Sequence, residues 1–222
     1  MSAVISLSPV VCGLGSPRRD AVPKGSARAH ELCISLPSPG SRERCEAEEF
    51  VMAGFAATHD AQVRSFMPEL LVFRGATGQI RGVLGLRSAS GGNLFLEQYL
   101  DLPVERAIAE RASGEVARAE IVEVGNLASA SGRDAMRLVA LLPSYLLARG
   151  FRWIVFTGTA PVRGLLRGFE APLLELARAE RARVSPGVDD WGRYYESDPR
   201  VFAGYLPDSL RLAGFKHEEF RD

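Results

Sequence analysis

The sequence predicts a mixed α/β domain in which an antiparallel meander precedes a parallel βαβα crossover. Two patterns carry this reading. "PELLVFRG" and "QIRGVLGLRSA", residues 68–75 and 79–89, are strand-like runs separated by "ATG", a hairpin signal. From residue 116 the order is strand, small-residue turn, helix, strand and helix. Such an order lays the two strands parallel, because a parallel pair needs a crossover connection.

Taken in order, residues 1–29 are rich in Ser, Pro and Gly without periodicity, and read as a flexible leader before a single domain over 30–222. "HELCISL" at 30–36 is a short strand. Residues 41–61 form a helix capped by Ser41, with Cys45, Phe50, Val51 and Phe55 roughly on one face. The hairpin follows, and then "NLFLEQYLD" at 93–101 as a strand. Pro103 opens a short amphipathic helix, "VERAIAERAS". "VARAEIVEVGNLA", residues 116–128, is a long strand, and "SASGRD" a small-residue turn. The next helix runs to Gly150, although Pro143 inside it removes a backbone hydrogen bond and should kink it or start a new turn. "FRWIVFTGT" is nearly all apolar, as a central strand buried on both faces must be, and a last helix starts near Pro161.

Charge and composition narrow the chemistry. The 27 basic and 27 acidic residues cancel, so no global field favours nucleic acid or an anionic membrane. Cys12, Cys33 and Cys45 form neither a CxxC pair nor a zinc ligand spacing, and read as reduced cytoplasmic thiols; no metal is expected. The N-terminus lacks the basic-then-apolar order of a secretion signal, and arginines interrupt the most hydrophobic region before it reaches membrane-spanning length. His30, His59 and His217 are scattered, and neither GxSxG nor HExxH occurs, which argues against triad or zinc hydrolysis.

Three stretches carry candidate chemistry. In "NLASASGRD" small residues between strand and helix let backbone amides face outward at a positive helix end, which suits a phosphate, with Arg133 adding charge. The competing reading is a plain loop with Ser131 or Asp134 as helix cap. Glu120 and Glu123 fall on opposite faces of a regular strand, so one points into the interior or a cleft, where a raised pKa suits general-base work; the alternative is an ion pair with Arg118 or Arg87. Finally, "FLEQYLDLPVE" and "DDWGRYYESDP" each mix acids with aromatic rings, as a wall for a cationic or amine-bearing group would.

Together "LFLEQYLDLPVE", "EIVEVGNLAS", "IVFTGT" and "WGRYY" resemble the bacterial thermostable haemolysin family, with order and spacing similar from about His30 to Leu206. The family's element order in turn is similar to the GNAT-type N-acyltransferases and the related acyl-homoserine-lactone synthases. That resemblance implies a GNAT-like mixed central sheet, flanked by helices, whose splayed parallel strands admit the arm of an acyl thioester. It implies an acyltransferase acting from acyl-CoA or acyl-carrier protein onto a small amine or amino-acid-like acceptor. Glu123 is then the general base. Asn126, with the amides of Gly125 and Leu127, orients the thioester carbonyl. Ser129, Ser131, Gly132 and Arg133 hold the donor phosphate. Glu97, Tyr99, Trp191, Tyr194 and Tyr195 line the acceptor side, Tyr99 standing with Glu123 and Asn126 in the catalytic set. The superfamily's phosphate loop, Q/R-x-x-G-x-G/A, is present only as small residues and Gly132 followed by Arg133. Expected partners are the acceptor, a carrier protein or an acyl-activating ligase; a homodimer stays open. The family name itself implies a membrane-active protein, and a non-catalytic binding protein on the same fold is the third alternative.

Overall fold

The computed structural model describes residues 33–167, 172–185 and 189–209. The leader expected over 1–29 lies outside them. Chain order is β1 (Cys33–Ser35), α1 (Arg42–His59), β2 (Glu69–Arg74), β3 (Ile80–Ser88), α2 (Val104–Ala112), β4 (Ile121–Ser129), α3 (Gly132–Ala148), β5 (Trp153–Gly158), α4 (Ala160–Arg167), β6 (Leu173–Arg178) and β7 (Arg200–Tyr205). They build a seven-stranded sheet in the order β1-β2-β3-β4-β5-β7-β6. β1 to β4 form the antiparallel meander, β4 and β5 are parallel, and β7 runs antiparallel between β5 and β6. The mixed architecture read from the sequence is therefore the observed one.

Side-chain alternation distributes the helices over the two faces. Val122 and Val124 pack with Leu142 and Leu146 of α3. Ile121, one residue out of phase, packs with Val104 and Ile108 of α2, and Val83 packs with Ala47 and Val51 of α1. Helices α1 and α2 thus share the face opposite α3. Glu123 has the phase of Ile121, so it projects to the α1 and α2 side.

Local signals explain most boundaries. Ser41 caps α1, its hydroxyl accepting the Arg44 amide at 3.2 Å. The buried face of this helix carries Arg44, Ala47 and Val51, while Cys45 is exposed, a correction to the expected apolar stripe. Arg44 is tolerated inside because its guanidinium donates to the carbonyls of Met67 and Pro68 and to Glu48. Helix α3 continues through Pro143.

Two segments depart from the sequence reading. "NLFLEQYLD" is not a strand: Phe95–Tyr99 forms a 3-10 helix. Its backbone amides find carboxylates rather than a neighbouring strand, with Leu94 N–H donating to Glu97 and the Phe95 and Leu96 N–H groups donating to Glu123. The strand expected from residue 116 starts only at Ile121, after a 3-10 turn over Arg118–Glu120. Arg118 is drawn out of strand geometry by its acceptors, the carboxylates of Glu97 and Glu105 and the carbonyls of Ala89 and Gly92. Glu120 consequently belongs to the turn, and the alternation argument applies to Glu123 alone.

Candidate active site

The parallel strands β4 and β5 pair only from Ile121↔Trp153 to Val124↔Phe156. Beyond that point β4 stays with β3 as far as Ser129, and β5 stays with β7 as far as Gly158. The two strands part, and alternate residues of 125–129 present backbone groups to the opening rather than to a neighbour. A bulge accompanies the parting: Val83 pairs with Ala128 but Gly85 with Gly125, so Asn126 and Leu127 oppose Leu84 alone. Asn126 absorbs the extra residue at φ 47°, in the left-handed region.

Glu123 lies at the base of the opening, on the last paired stretch of β4. It is 3% exposed, and its two carboxylate oxygens accept the Phe95 and Leu96 amides, each at 2.9 Å. Burial raises its pKa, against the opposing pull of those two amides and of the Arg87 charge. Arg87 is its cross-strand partner, so the two side chains share a face. They form no ion pair within 4 Å; the carboxylate is turned to the 3-10 helix instead.

Aromatic rings stand over that helix. Phe95 lies 5.6 Å from Trp191 and 6.1 Å from Tyr99, and Trp191 lies 5.4 Å from Tyr194 and 6.3 Å from Tyr195. Tyr99, 1% exposed, shares a hydroxyl–hydroxyl hydrogen bond of 2.8 Å with Tyr195. Burial raises the pKa of both phenols, so both are neutral at ordinary pH. The segment bearing Trp191 is clasped to the end of α1. Asp189 accepts the Arg64 and Ser65 amides at 2.6 and 2.8 Å together with the Ser65 hydroxyl, and Gln62 bridges Asp190. At Gly192, with φ 46°, a Cβ would stand 2.4 Å or less from the carbonyls of His59 and Asp60, so only glycine fits.

The same α1–β2 connection reaches the bulge. The Asn126 side-chain carbonyl accepts the Met67 amide at 2.8 Å, and its amide group donates to the Ser65 carbonyl at 3.4 Å. The Met67 side chain lies over the facing glycines 85 and 125, where an added Cβ would come within 2.6 Å of it. Asn126 is therefore engaged in holding residues 65–67 against β4, which leaves the backbone of the bulge, rather than its carboxamide oxygen, facing the opening.

At the start of α3 both competing readings of the loop meet. Ser131 is the cap: its hydroxyl accepts the Asp134 amide at 3.2 Å and donates to the Asp134 carboxylate at 2.6 Å. Asp134 is 3% exposed and also binds Arg81 at 2.6 Å; its pKa is lowered by the Ser131 hydrogen bond and then by Arg81. Ser131, Gly132 and Arg133 remain at the surface, and Ser129 is the last residue of β4.

Glu123, Gly125, Asn126, Leu127 and Ser129 thus lie along one strand, Ser131, Gly132 and Arg133 at the helix that follows it, and Tyr99, Trp191, Tyr194 and Tyr195 in one aromatic group. Glu97 departs from its expected place in a cation-binding wall. Burial works to raise its pKa, but Arg118 and the amides of Leu94 and Val104 overcome this and hold it at about 2. Its charge is fully engaged in pinning the 94–104 segment. Asp101 and Glu105 are likewise paired, with Arg183 and Arg118. The sequence reading missed Met67, Asp189 and the Phe95 and Leu96 amides, because backbone donors and long-range clasps leave no residue-type signature. The facing glycines 85 and 125 were the one local trace of the Met67 contact.

No curated protein sequence matches the chain. Among solved structures it is similar to FeeM, an N-acyl amino acid synthase from uncultured soil microbes, at 14% identity and a TM-score of 0.58 over 86% of this chain and all of that one. It is also similar to the CoA-dependent acyl-homoserine lactone synthase BjaI, at 12% identity and 0.54 over 82% and 88% of the two chains. The AHL synthase LasI follows at 11% and 0.51 over 80% and 91%. At these identities the likeness is one of fold, and the fold is GNAT-like. The family model described as thermostable hemolysin matches residues 38–210, and the chain belongs to that family.

Proposed function

We propose that the protein is an acyltransferase that moves an acyl group from a CoA or carrier-protein thioester to the nitrogen of a small amine or amino-acid-like acceptor. The observation that carries this reading is the parting of β4 and β5 immediately beyond Val124 and Phe156, with the buried Glu123 at its base. A thioester arm lying in that opening extends the sheet, its amides pairing with the free edge of residues 125–129. The likenesses to FeeM, BjaI and LasI, an N-acyl amino acid synthase and two acyl-homoserine lactone synthases, support the same reaction class.

In the proposed reaction the amine nitrogen attacks the thioester carbonyl carbon. The C–N bond forms, the carbonyl oxygen becomes an oxyanion received by backbone amides of the bulge at Gly125 and Leu127, and the C–S bond then breaks. The thiolate leaves and is protonated. The nitrogen's proton passes to Glu123, directly or through a water, and the raised pKa places this carboxylate closer to neutral operating pH than an ordinary one. Asn126 acts by fixing the bulge. The donor phosphate meets the exposed Gly132 and Arg133 at the start of α3, where the Ser131 hydroxyl is already committed to Asp134.

The test is release of free thiol from acyl-CoA or acyl-carrier protein, measured with and without a panel of amines. Amine-dependent thiol release that falls in Glu123→Gln supports the reading; thiol release in none of these mixtures refutes it.

A further inference from the structure

We propose that Arg87 binds a carboxylate of the acceptor, so that the acceptor class is an amino acid and not a simple amine or polyamine; this rests on the acyl-transfer reading above. Three observations carry it. Arg87 and Glu123 are cross-strand partners on the face of α1 and α2, so an acceptor whose nitrogen approaches Glu123 has the guanidinium within reach of a group one or two bonds further on. Arg87 is only partly exposed and makes no hydrogen bond to any described residue, and the carboxylate nearest to it in the sheet is already turned to the Phe95 and Leu96 amides. A planar fork of five donors left free beside a buried acid suits a carboxylate ligand held in bidentate fashion.

The third observation concerns the acids. A polyamine or other cationic acceptor needs free carboxylates, and the acids of the 94–105 segment that carries Phe95 and Tyr99 are paired with arginines. Glu97 and Glu105 are paired with Arg118, and Asp101 with Arg183. What this neighbourhood offers an acceptor is the Phe95 and Trp191 rings for an apolar side chain and Arg87 for a negative charge.

The experiment is a calorimetric titration of the full chain with two product-like amides, N-dodecanoyl-phenylalanine and the same molecule lacking its carboxylate, N-dodecanoyl-phenethylamine. The wild type should bind the acid roughly ten- to a hundredfold tighter, the worth of one charge-assisted bidentate contact. Arg87→Ala should erase that preference while leaving the affinity for the uncharged amide unchanged, which also shows that the variant is folded. Arg87→Lys should restore part of it. Equal affinity of the wild type for both amides, equal weakening of both by Arg87→Ala, or no binding of either overturns the proposal. Titration with an acyl-CoA then separates the two readings, because donor binding survives if only the acceptor assignment is wrong.

Discussion

Replacing Glu123 by Gln tests how the buried carboxylate is balanced. In the wild type both oxygens accept backbone amides. The carboxamide offers only one acceptor oxygen and sets its NH2 group against the second amide, leaving a buried N–H unpaired. That costs about 1–3 kcal/mol, so the substitution is not silent for folding. The pH dependence follows from burial raising the wild-type pKa above its ordinary value of 4.5. Between 4.5 and the folded-state pKa the native protein binds more protons than the unfolded chain, so this group's contribution to stability falls as pH rises. The uncharged variant lacks that fall. Urea denaturation at several pH values between 5 and 9 should therefore show the variant less stable at pH 5 by about 1–3 kcal/mol, with the gap narrowing as pH rises. A gap that widens with pH would mean that the two amides outweigh burial and depress the pKa, and would refute the reasoning. Turnover, assayed well below the melting temperature, should drop by roughly a hundredfold or more.

Other contacts give independent expectations. Asn126→Ala keeps a β-carbon at φ 47° but removes the acceptor of the Met67 amide, for about 1–3 kcal/mol. Asn126→Gly loses the same acceptor but relieves the left-handed strain of a β-carbon, and should recover roughly 1–2 kcal/mol of that in chemical denaturation. Glu97, with its folded pKa at about 2 against an ordinary 4.5, contributes stability that is present above pH 4.5 and lost as pH falls toward 2. Solvent at its rim limits the effect to roughly 1–3 kcal/mol, and an acid titration of stability should show it in the wild type and not in Glu97→Gln. Arg118→Ala strands the Glu97 carboxylate, 14% exposed, and should cost about 2–4 kcal/mol in urea denaturation at pH 7.

The features legible in the sequence were those with a periodic or local cause. The β2–β3 hairpin, the Ser41 cap and the β4–α3–β5 crossover each rest on neighbouring residues, and the structure has them. Phe95–Tyr99 was misread because its β-prone residues are overruled by one distant carboxylate, Glu123, that captures the Phe95 and Leu96 amides, while Glu97 within the segment captures the Leu94 amide. Glu97 was misread for a related reason: an acid beside tyrosines resembles a cation site until Arg118, 21 residues away, is seen to neutralise it. β6 and β7, which extend the sheet beyond β5, had no assignment. The broken character of "EVGNLAS" was visible in the sequence, but its cause is tertiary: Met67 needs the two glycines, and Asn126 reaches back to anchor residues 65–67.

The opening between β4 and β5 is tested most directly by titrating the full chain with a thioether analogue of acyl-CoA and with acyl-carrier protein while following the melting transition. A ligand seated in the opening should stabilise the protein saturably, by about 2.7 kcal/mol at a hundred times its dissociation constant. No shift with either donor, together with leakage of liposomes by the lipid-free protein, would contradict the acyl-transfer account and favour the lytic activity that the family's name implies.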